Sequence, residues 1–359
     1  MSEDQARSFS TVPAPAGTRL LGGYLLPGRV SDPRPAITQA RAAESAGMGS
    51  VWLAERWGSK DVAAIAGAVG QATSTVRIAL GATHFQTRHP SVFSSMVMTL
   101  QALTNGRLIV GIGRNTSLTW PAMGLPPASN AVLVDRLSIH RRLVKGEGVT
   151  YDGPAGKFPR LRLIDLPDVP PPPVIFTAIG PKSLELAGRH FDGVMLHPFL
   201  SVDATARSAA AVRAAADAAG RDPKAVRIYA TVVVAADLSP SEEAAVVAGR
   251  AVTYLQIPGI GDSMVQANGW DEAPLKALRE HPMFAGVRKL ADQAFTREQL
   301  VEVARVLPPE WLSTTSAVGT AAQCARRLQD FISAGADELI LHGSTPDQLG
   351  PTVAAFAQV

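Results

Sequence analysis

The chain has almost no cysteine and comparatively little charge. Cys324 is the single cysteine among 359 residues, which excludes a disulfide framework and a cysteine-based zinc site. Charged residues make up 18% of the chain, below the roughly 25% of an average soluble protein. The 34 basic and 31 acidic residues leave a net charge of +3, and no run of five basic residues occurs. Nucleic acid is therefore not expected as a partner.

Long apolar runs are also missing. No stretch approaches the roughly 18 apolar residues of a membrane span, so no membrane association is expected. Residues 1–17 lack the basic start and apolar stretch of a signal peptide, and we expect them to be a disordered leader of a cytoplasmic protein. With 46% hydrophobic residues, residues 18–359 are predicted to form one domain with a large core.

Eight short apolar runs alternate with helical segments. The runs are rich in Val, Ile and Leu and are mostly continuous, which is typical of parallel strands buried on both faces. This alternation predicts a (β/α)8 TIM barrel, in preference to an open sheet with a second domain. The predicted strands are Leu20–Leu26, Val51–Glu55, Val76–Thr83, Arg107–Gly113, Val174–Ile179, Gly193–His197, Arg227–Ala235 and Glu338–His342.

Two stretches interrupt the alternation and predict insertions after strands four and seven. Gly146–Pro173 ends in a run of prolines and is predicted to be an inserted hairpin or lid. The segment from about Ile257 to Val318 is too long for one connection, and we expect extra helices over the barrel mouth. Before it, Ser239 and Glu242 flank Pro240 in the pattern of a capping box.

The predicted strand ends lack the groups of several barrel chemistries. Strand one has no His-x-His motif, no lysine lies within a strand, and only strand two ends in a carboxylate, that of Glu55. A metal-dependent hydrolase, a Schiff-base aldolase and an enolase-like magnesium site are therefore disfavoured. Without a G-x-S-x-G motif, a nucleophilic hydrolase is poorly supported as well.

Small and neutral polar residues occupy these strand ends instead. Strand three ends in Gly81–His84 and strand four in Gly111–Asn115, while strand five runs into Gly180–Lys182 at the start of a helix. Glycine allows the backbone to lie close to a flat ligand, which suits a cofactor that carries the chemistry itself. The free amides of the helix start can hold a phosphate, although an ordinary capped helix has the same pattern.

Five blocks of the sequence resemble the luciferase-like flavin or deazaflavin barrel family, within it the branch that uses coenzyme F420. They cover most of residues 20–343 in the family's order. The blocks are RAAESAGMGSVWLAER, IALGATHFQTRHPSVFSSMVMTLQALTNGRLIVGIGRN, RLSIHRRLVKGEGVTYDG, PPPVIFTAIGPKSLELAGRHFDGVML and VGTAAQCARRLQDFISAGADELILHG.

The resemblance implies where a cofactor binds. A bulge with a non-proline cis peptide, at Thr83–His84 or the bond before it, is implied to lie behind the central ring. The resemblance places strand two against the pyrimidine edge of the cofactor, strand four against the ring and its side chain, and the fifth strand and following helix against the phosphate. The implied cofactor-binding residues are Glu55, Arg56, Ala82, Thr83, His84, Gly113, Arg114, Asn115, Ala178, Ile179, Gly180, Pro181 and Lys182.

The sequence departs from the family's sugar-phosphate dehydrogenases at three places. Glu55 and Arg56 stand where some F420 dehydrogenases have an Asp-His pair. A glutamate of those enzymes corresponds roughly to Thr116, and a lysine falls near Leu200. Sugar-phosphate oxidation is therefore disfavoured.

Several single residues are candidates for chemistry. His84 is a proton donor, a ring contact or a structural histidine, and Arg56 either pairs with Glu55 or stabilises negative charge on the reduced ring. His197 and His342 end strands six and eight and are expected to point into the mouth as proton donors or wall residues. The candidate substrate contacts are Trp57, Trp120 and Phe199, which together with Phe85 suggest an apolar, aromatic mouth.

Our leading hypothesis is an F420-dependent oxidoreductase that transfers a hydride between the deazaflavin C5 and a small, hydrophobic organic substrate. An FMN-dependent monooxygenase and a non-catalytic flavin-binding barrel are the alternatives. No metal is expected. The resemblance further suggests a homodimer.

Overall fold

A closed ring of parallel strands forms the centre of the molecule. The computed structural model describes residues 16–56, 58–114, 116, 119–287 and 289–359. The strands in chain order are β1 (Leu21–Tyr24), β2 (Ser50–Leu53), β3 (Arg77–Thr83), β4 (Leu108–Ile112), β5 (Val149–Gly153), β6 (Gly156–Leu161), β7 (Val174–Ala178), β8 (Gly193–Leu196), β9 (Arg227–Ala236), β10 (Ser316–Gly319) and β11 (Glu338–Gly343).

Helices surround this ring and follow its strands. They are α1 (Pro35–Ser45), α2 (Val62–Ala72), α3 (Pro90–Leu103), α4 (Thr119–Ala122), α5 (Asn130–Leu143), α6 (Pro181–His190), α7 (Val202–Ala218), α8 (Pro240–Leu255), α9 (Ile260–Asn268), α10 (Ala273–Glu280), α11 (Ala291–Ala294), α12 (Arg297–Val303), α13 (Pro309–Ser313), α14 (Ala321–Ser333) and α15 (Gly350–Phe356). Short 3₁₀ turns cover Gly17–Leu20, Pro223–Ala225, Pro282–Phe284 and Ala304–Val306.

The predicted (β/α)8 TIM barrel is confirmed. The order of pairing around the ring is β1, β2, β3, β4, β7, β8, β9 and β11, and β11 pairs back to β1. These eight strands are the eight apolar runs predicted from the sequence. β5 and β6 form a separate antiparallel hairpin after α5, and helices α8 to α13 follow β9. The sequence analysis missed β10, a four-residue strand that pairs with the end of β9.

Side chains that point into the barrel close its lower end. Trp52 lies at the centre of the interior cluster and contacts Tyr229 edge to face, with the ring centroids 5.2 Å apart. Below it, the Ser50 hydroxyl donates to the buried carboxylate of Glu338, which also pairs with Arg77 at 2.6 Å. Because this floor is filled, a ligand enters from the opposite end, where the strands have their C-termini.

A second hydrophobic cluster lies above one side of the barrel. It joins the upper part of β9, represented by Val233 and Ala235, to side chains of α8 and the helices after it, among them Val252 and Trp311. Helix α8 also contacts β11. The inserted helices therefore cover the β9 and β11 side of the mouth.

Two predictions concern the outer parts of the chain. The expected leader, residues 1–17, lies outside the described residues except for its last two. Among the helices that the structure describes, we find none that combines the length and the hydropathy needed to cross a bilayer.

Candidate active site

The third strand bends where it reaches the mouth. The pairing between β3 and β4 shifts by one residue between Leu80 and Thr83, and the peptide bond between Gly81 and Ala82 is cis. The resemblance implied a cis bond at Thr83–His84 or at the bond before it, and that position was wrong. Only glycine fits at position 81, because the Cβ of any other residue would lie 2.6 Å from the Trp52 ring.

A buried ion pair supports this bend from outside the barrel. The Glu55 carboxylate, 3% exposed, accepts a hydrogen bond from the Thr83 hydroxyl at 2.6 Å. Its other oxygen lies 2.6 Å from Arg88, which also pairs with Asp61 at 3.0 Å. Of the two roles considered for Arg56, the pair with Glu55 is not formed, because Arg88, just before α3, takes that place.

The end of β4 presents a glycine to the inside and an arginine to the outside. A Cβ on Gly113 would lie 3.0 Å from His84 and 3.2 Å from the Ala82 side chain, so the surface here is flat. Arg114 instead donates to the carbonyl of Ala128 and to Asn130, and its guanidinium lies 5.9 Å from the ring of Phe176. These contacts place the Arg114 side chain on the opposite side of the strand from Gly113, and its predicted contact with the ring and side chain of the cofactor stays a prediction.

His84 stabilises this flat surface from behind. Its Nδ1 lies 2.7 Å from the Gly113 carbonyl oxygen, which can only accept, so Nδ1 carries the hydrogen. Burial lowers the pKa of His84 to about 4, and the ring is neutral near pH 7. A neutral ring whose hydrogen is given to the backbone is a poor proton donor. The contacts favour the structural role among those considered for His84.

The aromatic residues expected to line the mouth are mostly packed elsewhere. Trp120 is 2% exposed, donates to the Arg114 carbonyl at 2.7 Å and contacts His84 edge to face. Phe199 is 1% exposed and belongs to the cluster under the inserted helices, while Phe85 packs against Phe93. These three side chains are buried because each fills a gap between elements. Trp57 and Asn115 lie outside the described residues.

The first turn of α6 adjoins this flat surface. Gly180 is the N-cap and forms no side-chain cap, and Pro181 occupies the first helical position. Lys182 is exposed, whereas Ile179 is partly buried and Ala178 is buried in the outer core. Of the predicted phosphate residues, Gly180, Pro181 and Lys182 are thus placed at a helix start whose amides can bind an anion.

Beyond β4 and β7 around the ring, polar rings replace the small residues at the mouth. His197 follows β8, and its Nδ1 lies 2.9 Å from the Pro198 carbonyl oxygen, so this nitrogen carries the hydrogen. The ring contacts Tyr254 of α8 edge to face, with centroids 4.6 Å apart. Burial lowers the pKa of His197 to about 4. Near neutral pH its Nε2 is therefore a hydrogen-bond and proton acceptor.

His342 on β11 lies beside His197 and between two further polar groups. Its ring stacks on Tyr24 of β1, with centroids 4.1 Å apart and planes 7° from parallel. Its Nε2 lies 3.4 Å from Nη1 of Arg250 on α8, which donates. Burial, reinforced by the nearby arginines, lowers the pKa of His342 well below its usual value. Burial also raises the pKa of Tyr24 to about 12.

Arg56 lies at the edge of this group. Its side chain is 31% exposed and its Nη1 lies 3.9 Å from Asp292, which follows α10 in the inserted segment. Arg56 is thus held between the end of β2 and the inserted helices. The structure brings Arg56, His197 and His342 to the same end of the barrel, as the sequence analysis expected.

Tyr24, Tyr254 and Arg250 were not predicted from the sequence. The alternation of β1 was a usable signal for Tyr24, since Gly22 and Tyr24 share the inward face. Arg250 and Tyr254 lie on a helix that the sequence analysis identified only by its capping box. Nothing in the local sequence indicates that this helix crosses the mouth.

The two sides of the mouth therefore differ in chemistry. One side offers Gly81, Ala82 and Gly113 as a flat surface next to a free helix start, and the other offers hydrogen-bonding rings and an arginine. Among the described residues there is no group of three or more His, Cys, Asp or Glu that could hold a metal ion. The arrangement suits a planar organic ligand on one side and a smaller polar molecule on the other.

Comparisons with known proteins show where this barrel belongs. The family model described as luciferase-like monooxygenase matches residues 15–338. A 5,10-methylenetetrahydromethanopterin reductase of Methanolobus tindarius is 29% identical over 248 residues, 68% of this chain and 74% of that protein. An F420-dependent hydroxymycolic acid dehydrogenase of Mycobacterium tuberculosis is 30% identical over 200 residues, 52% of this chain and 55% of that protein.

Two solved structures have the same fold over nearly the whole chain. The coenzyme F420-dependent tetrahydromethanopterin reductase of Methanopyrus kandleri aligns with a TM-score of 0.77 at 17% identity, over 95% of this chain and 98% of that one. An F420-dependent secondary alcohol dehydrogenase with an F420–acetone adduct aligns with a TM-score of 0.71 at 21% identity, over 96% and 98%. The family predicted from the sequence blocks is confirmed by the match over residues 15–338: the chain belongs to the luciferase-like monooxygenase family.

Proposed function

We propose that this chain is an F420-dependent oxidoreductase that transfers a hydride between the deazaflavin and a small organic substrate. The observation that carries the proposal is the flat surface of Gly81, Ala82 and Gly113 at the same barrel mouth as the polar rings of His197 and His342. Several similar proteins have F420 in their names, such as the F420-dependent hydroxymycolic acid dehydrogenase. This supports F420 over FMN as the cofactor.

The residues present fit such a cofactor. A Cβ on Gly113 would reach the Ala82 and His84 side chains, so only glycine leaves this surface flat enough for a ring system. Ala82 and Gly113 would lie behind the ring, and the first turn of α6 with Lys182 would hold the phosphate. When bound, F420 supplies the carbon that donates or accepts the hydride.

The chain's own groups orient the substrate. His197 is neutral near pH 7, so its Nε2 accepts a hydrogen bond from a substrate hydroxyl group and holds that group in place. Tyr254 holds the His197 ring through their edge-to-face contact. The inserted helices above β9 and β11 limit the access of water to this side of the mouth.

A binding titration tests the proposal. F420 and FMN are titrated separately into the protein and followed by fluorescence, and we expect F420 to bind at least about tenfold more tightly. Lys182→Ala is expected to weaken F420 binding about fivefold, because it removes a charge beside the phosphate. Lys224→Ala is the matched control, since Lys224 also follows a proline in an exposed first turn.

Other outcomes would favour the alternatives. Preferential binding of FMN, with oxygen consumption by the reduced form, would indicate a monooxygenase. Tight F420 binding without turnover of any electron acceptor or alcohol would indicate a non-catalytic barrel. If neither cofactor binds, the proposal is refuted.

We further propose that the enzyme is a homodimer joined through α2 and α3. A groove of about 880 Å³ lies between these helices, lined largely by small side chains that include Ala64, Gly67 and Ala68. Val92 and Leu103 border it and are 58% and 44% exposed. A patch with both a hollow and protruding apolar side chains can pair with a second copy of itself about a twofold axis.

Sedimentation velocity tests this dimer. The double variant Val92→Lys, Leu103→Lys is expected to be monomeric, because it buries two charges in the interface. Val359→Lys at the exposed C-terminus is the control and is expected to stay dimeric. A monomeric parent protein, or a double variant that remains dimeric, would contradict this interface.

A further inference from the structure

We propose that Arg250 is an anion-recognition residue, and that the substrate carries a carboxylate or an equivalent oxyanion that its guanidinium receives. The inference rests on the proposed function for the position of the cofactor ring. It names the class of substrate that the proposed function leaves open, and it replaces the apolar substrate expected from the sequence.

The first support is that Arg250 is a buried charge without a counter-ion. The residue is 8% exposed, and its only hydrogen bond to a described residue joins Nη1 to the neutral His342 ring. Its Nε is buried and has no partner. Because an unpaired buried charge is costly, such a group is expected to meet its partner in the ligand.

Other arginines of the barrel show the contrast. Arg77 pairs with Glu338 at 2.6 Å, and Arg88 pairs with Glu55 at the same distance. Arg250 has no such acid among the described residues. Asp292, an acid at this end of the barrel, pairs with Arg56.

The second support is the set of charges around Arg250. Arg56 and Arg297 lie close enough to repel it, and the other facing groups are the phenols of Tyr24 and Tyr254 and the His342 ring. Burial raises the pKa of the Tyr24 phenol, so it is uncharged near neutral pH. The local field is therefore positive, which attracts an anionic ligand into this side of the mouth.

The third support is the position of Arg250 relative to the flat surface at Gly113. Helix α8 places Arg250 against His342 of β11, and β11 lies four strands around the barrel from β4, directly opposite Gly113. A ligand group held by Arg250 is therefore on the far side of the mouth from the flat surface. The reacting carbon of the same small molecule then lies between Arg250 and a ring held against Gly113.

His342 acts here as a positioning residue. Its Nε2 accepts from Arg250, and its stacking on Tyr24 holds the ring in place. Because His342 is neutral, it orients the guanidinium without neutralising it. The full charge of Arg250 is then available to the ligand.

The test compares two probes that differ in charge but hardly in shape. Benzoate and benzamide are titrated by calorimetry into the protein saturated with F420. We expect benzoate to bind at least about tenfold more tightly, and Arg250→Gln to remove this preference while leaving benzamide binding and the Kd of F420 unchanged. Arg305→Gln is the control, since Arg305 is exposed and pairs with Glu302.

A second variant guards against misfolding. Arg250→Lys keeps the charge and is expected to retain a preference for benzoate that is smaller than in the parent protein. The circular dichroism and melting temperature of each variant are measured alongside. Loss of the preference in a folded Arg250→Gln variant, with its retention in Arg250→Lys, supports the proposal.

Several results would overturn it. Equal binding of benzoate and benzamide by the parent protein would show that no anion site exists. A preference that survives in Arg250→Gln would place the site elsewhere. Weaker F420 binding in Arg250→Gln would assign the guanidinium to the cofactor. A parent protein that does not bind F420 refutes the proposed function instead, and the same probes on the unloaded protein then still decide the role of Arg250.

Discussion

At the scale of single residues, the site depends on the absence of a side chain at Gly113. The space that a side chain would fill is bordered by Ala82 and His84, and the His84 ring is tied to the Gly113 carbonyl. Behind them, Thr83, Glu55 and Arg88 form a buried chain of hydrogen bonds. The flat surface is thus held in place by hydrogen bonds and an ion pair among the residues behind it.

Gly113→Ala is therefore expected to weaken F420 binding by about tenfold or more. The added methyl group would lie 3.0 Å from His84 and would force either the ring or the ligand to move. Fluorescence titration with F420 measures the change. Gly148→Ala serves as the control, because a Cβ there meets no atom within 4 Å. Unchanged affinity in Gly113→Ala would show that the ligand does not lie against this strand.

At the scale of elements, local capping decides where helices start. α8, α12 and α14 each begin with a capping box, in which the N-cap residue and the third helical residue exchange hydrogen bonds. In α14, Thr320 accepts from the backbone of Gln323, and the Gln323 side chain accepts from the backbone of Thr320 at 2.8 Å. α14 follows β10 directly, so its start also sets the position of that strand.

We expect Thr320→Ala to lower the free energy of unfolding by about 1 kcal/mol, because it leaves a backbone amide at the start of α14 without its partner. Urea denaturation measures the shift in midpoint. Thr320→Ser retains the hydroxyl and should stay within about 0.5 kcal/mol of the parent protein. Equal loss in the two variants would mean that the threonine methyl group, and not the cap, carries the effect.

At the scale of the whole molecule, buried histidines couple folding to pH. Burial lowers the pKa of His84 and of His197 to about 4 and that of His140 to about 3, and it lowers that of His342 well below its usual value. In the unfolded chain these groups titrate near 6.5, so between about pH 6.5 and 4 the unfolded state binds more protons. The contribution of these neutral histidines to the free energy of unfolding is complete above about pH 6.5 and is lost as the pH falls.

His140→Phe isolates one of these groups. His140 is 2% exposed, lies between α3 and α5 and contacts Ser94 and not the mouth. Between pH 6.5 and 5 the free energy of unfolding of the parent protein is expected to fall, and in the variant the fall should be smaller by about 1.5 kcal/mol. Urea titrations at several pH values measure both slopes. Parallel slopes would show that His140 is already protonated in the folded protein.

Much of the architecture follows from the sequence alone. Continuous apolar runs are typical of strands buried on both faces, and eight of them alternating with helices predict a closed barrel. The flat surface at Gly81, Ala82 and Gly113 could also be predicted from the sequence. Small residues at a strand end allow a ligand to lie close to the backbone. Arg114 shows the limit of this reasoning: the sequence places it at the end of a strand, but its partners Ala128 and Asn130 are set by the packing of the loop that follows.

The polar side of the mouth was decided only by the tertiary structure. Arg250 and Tyr254 belong to a helix inserted after β9, and their place beside His342 and His197 depends on how that helix packs across the barrel. Local periodicity and capping determine where a helix begins and ends, but contacts between residues 92 positions apart are set by the packing of distant elements. The sequence by itself thus determined the barrel and its flat surface, and long-range packing determined which charged group faces that surface.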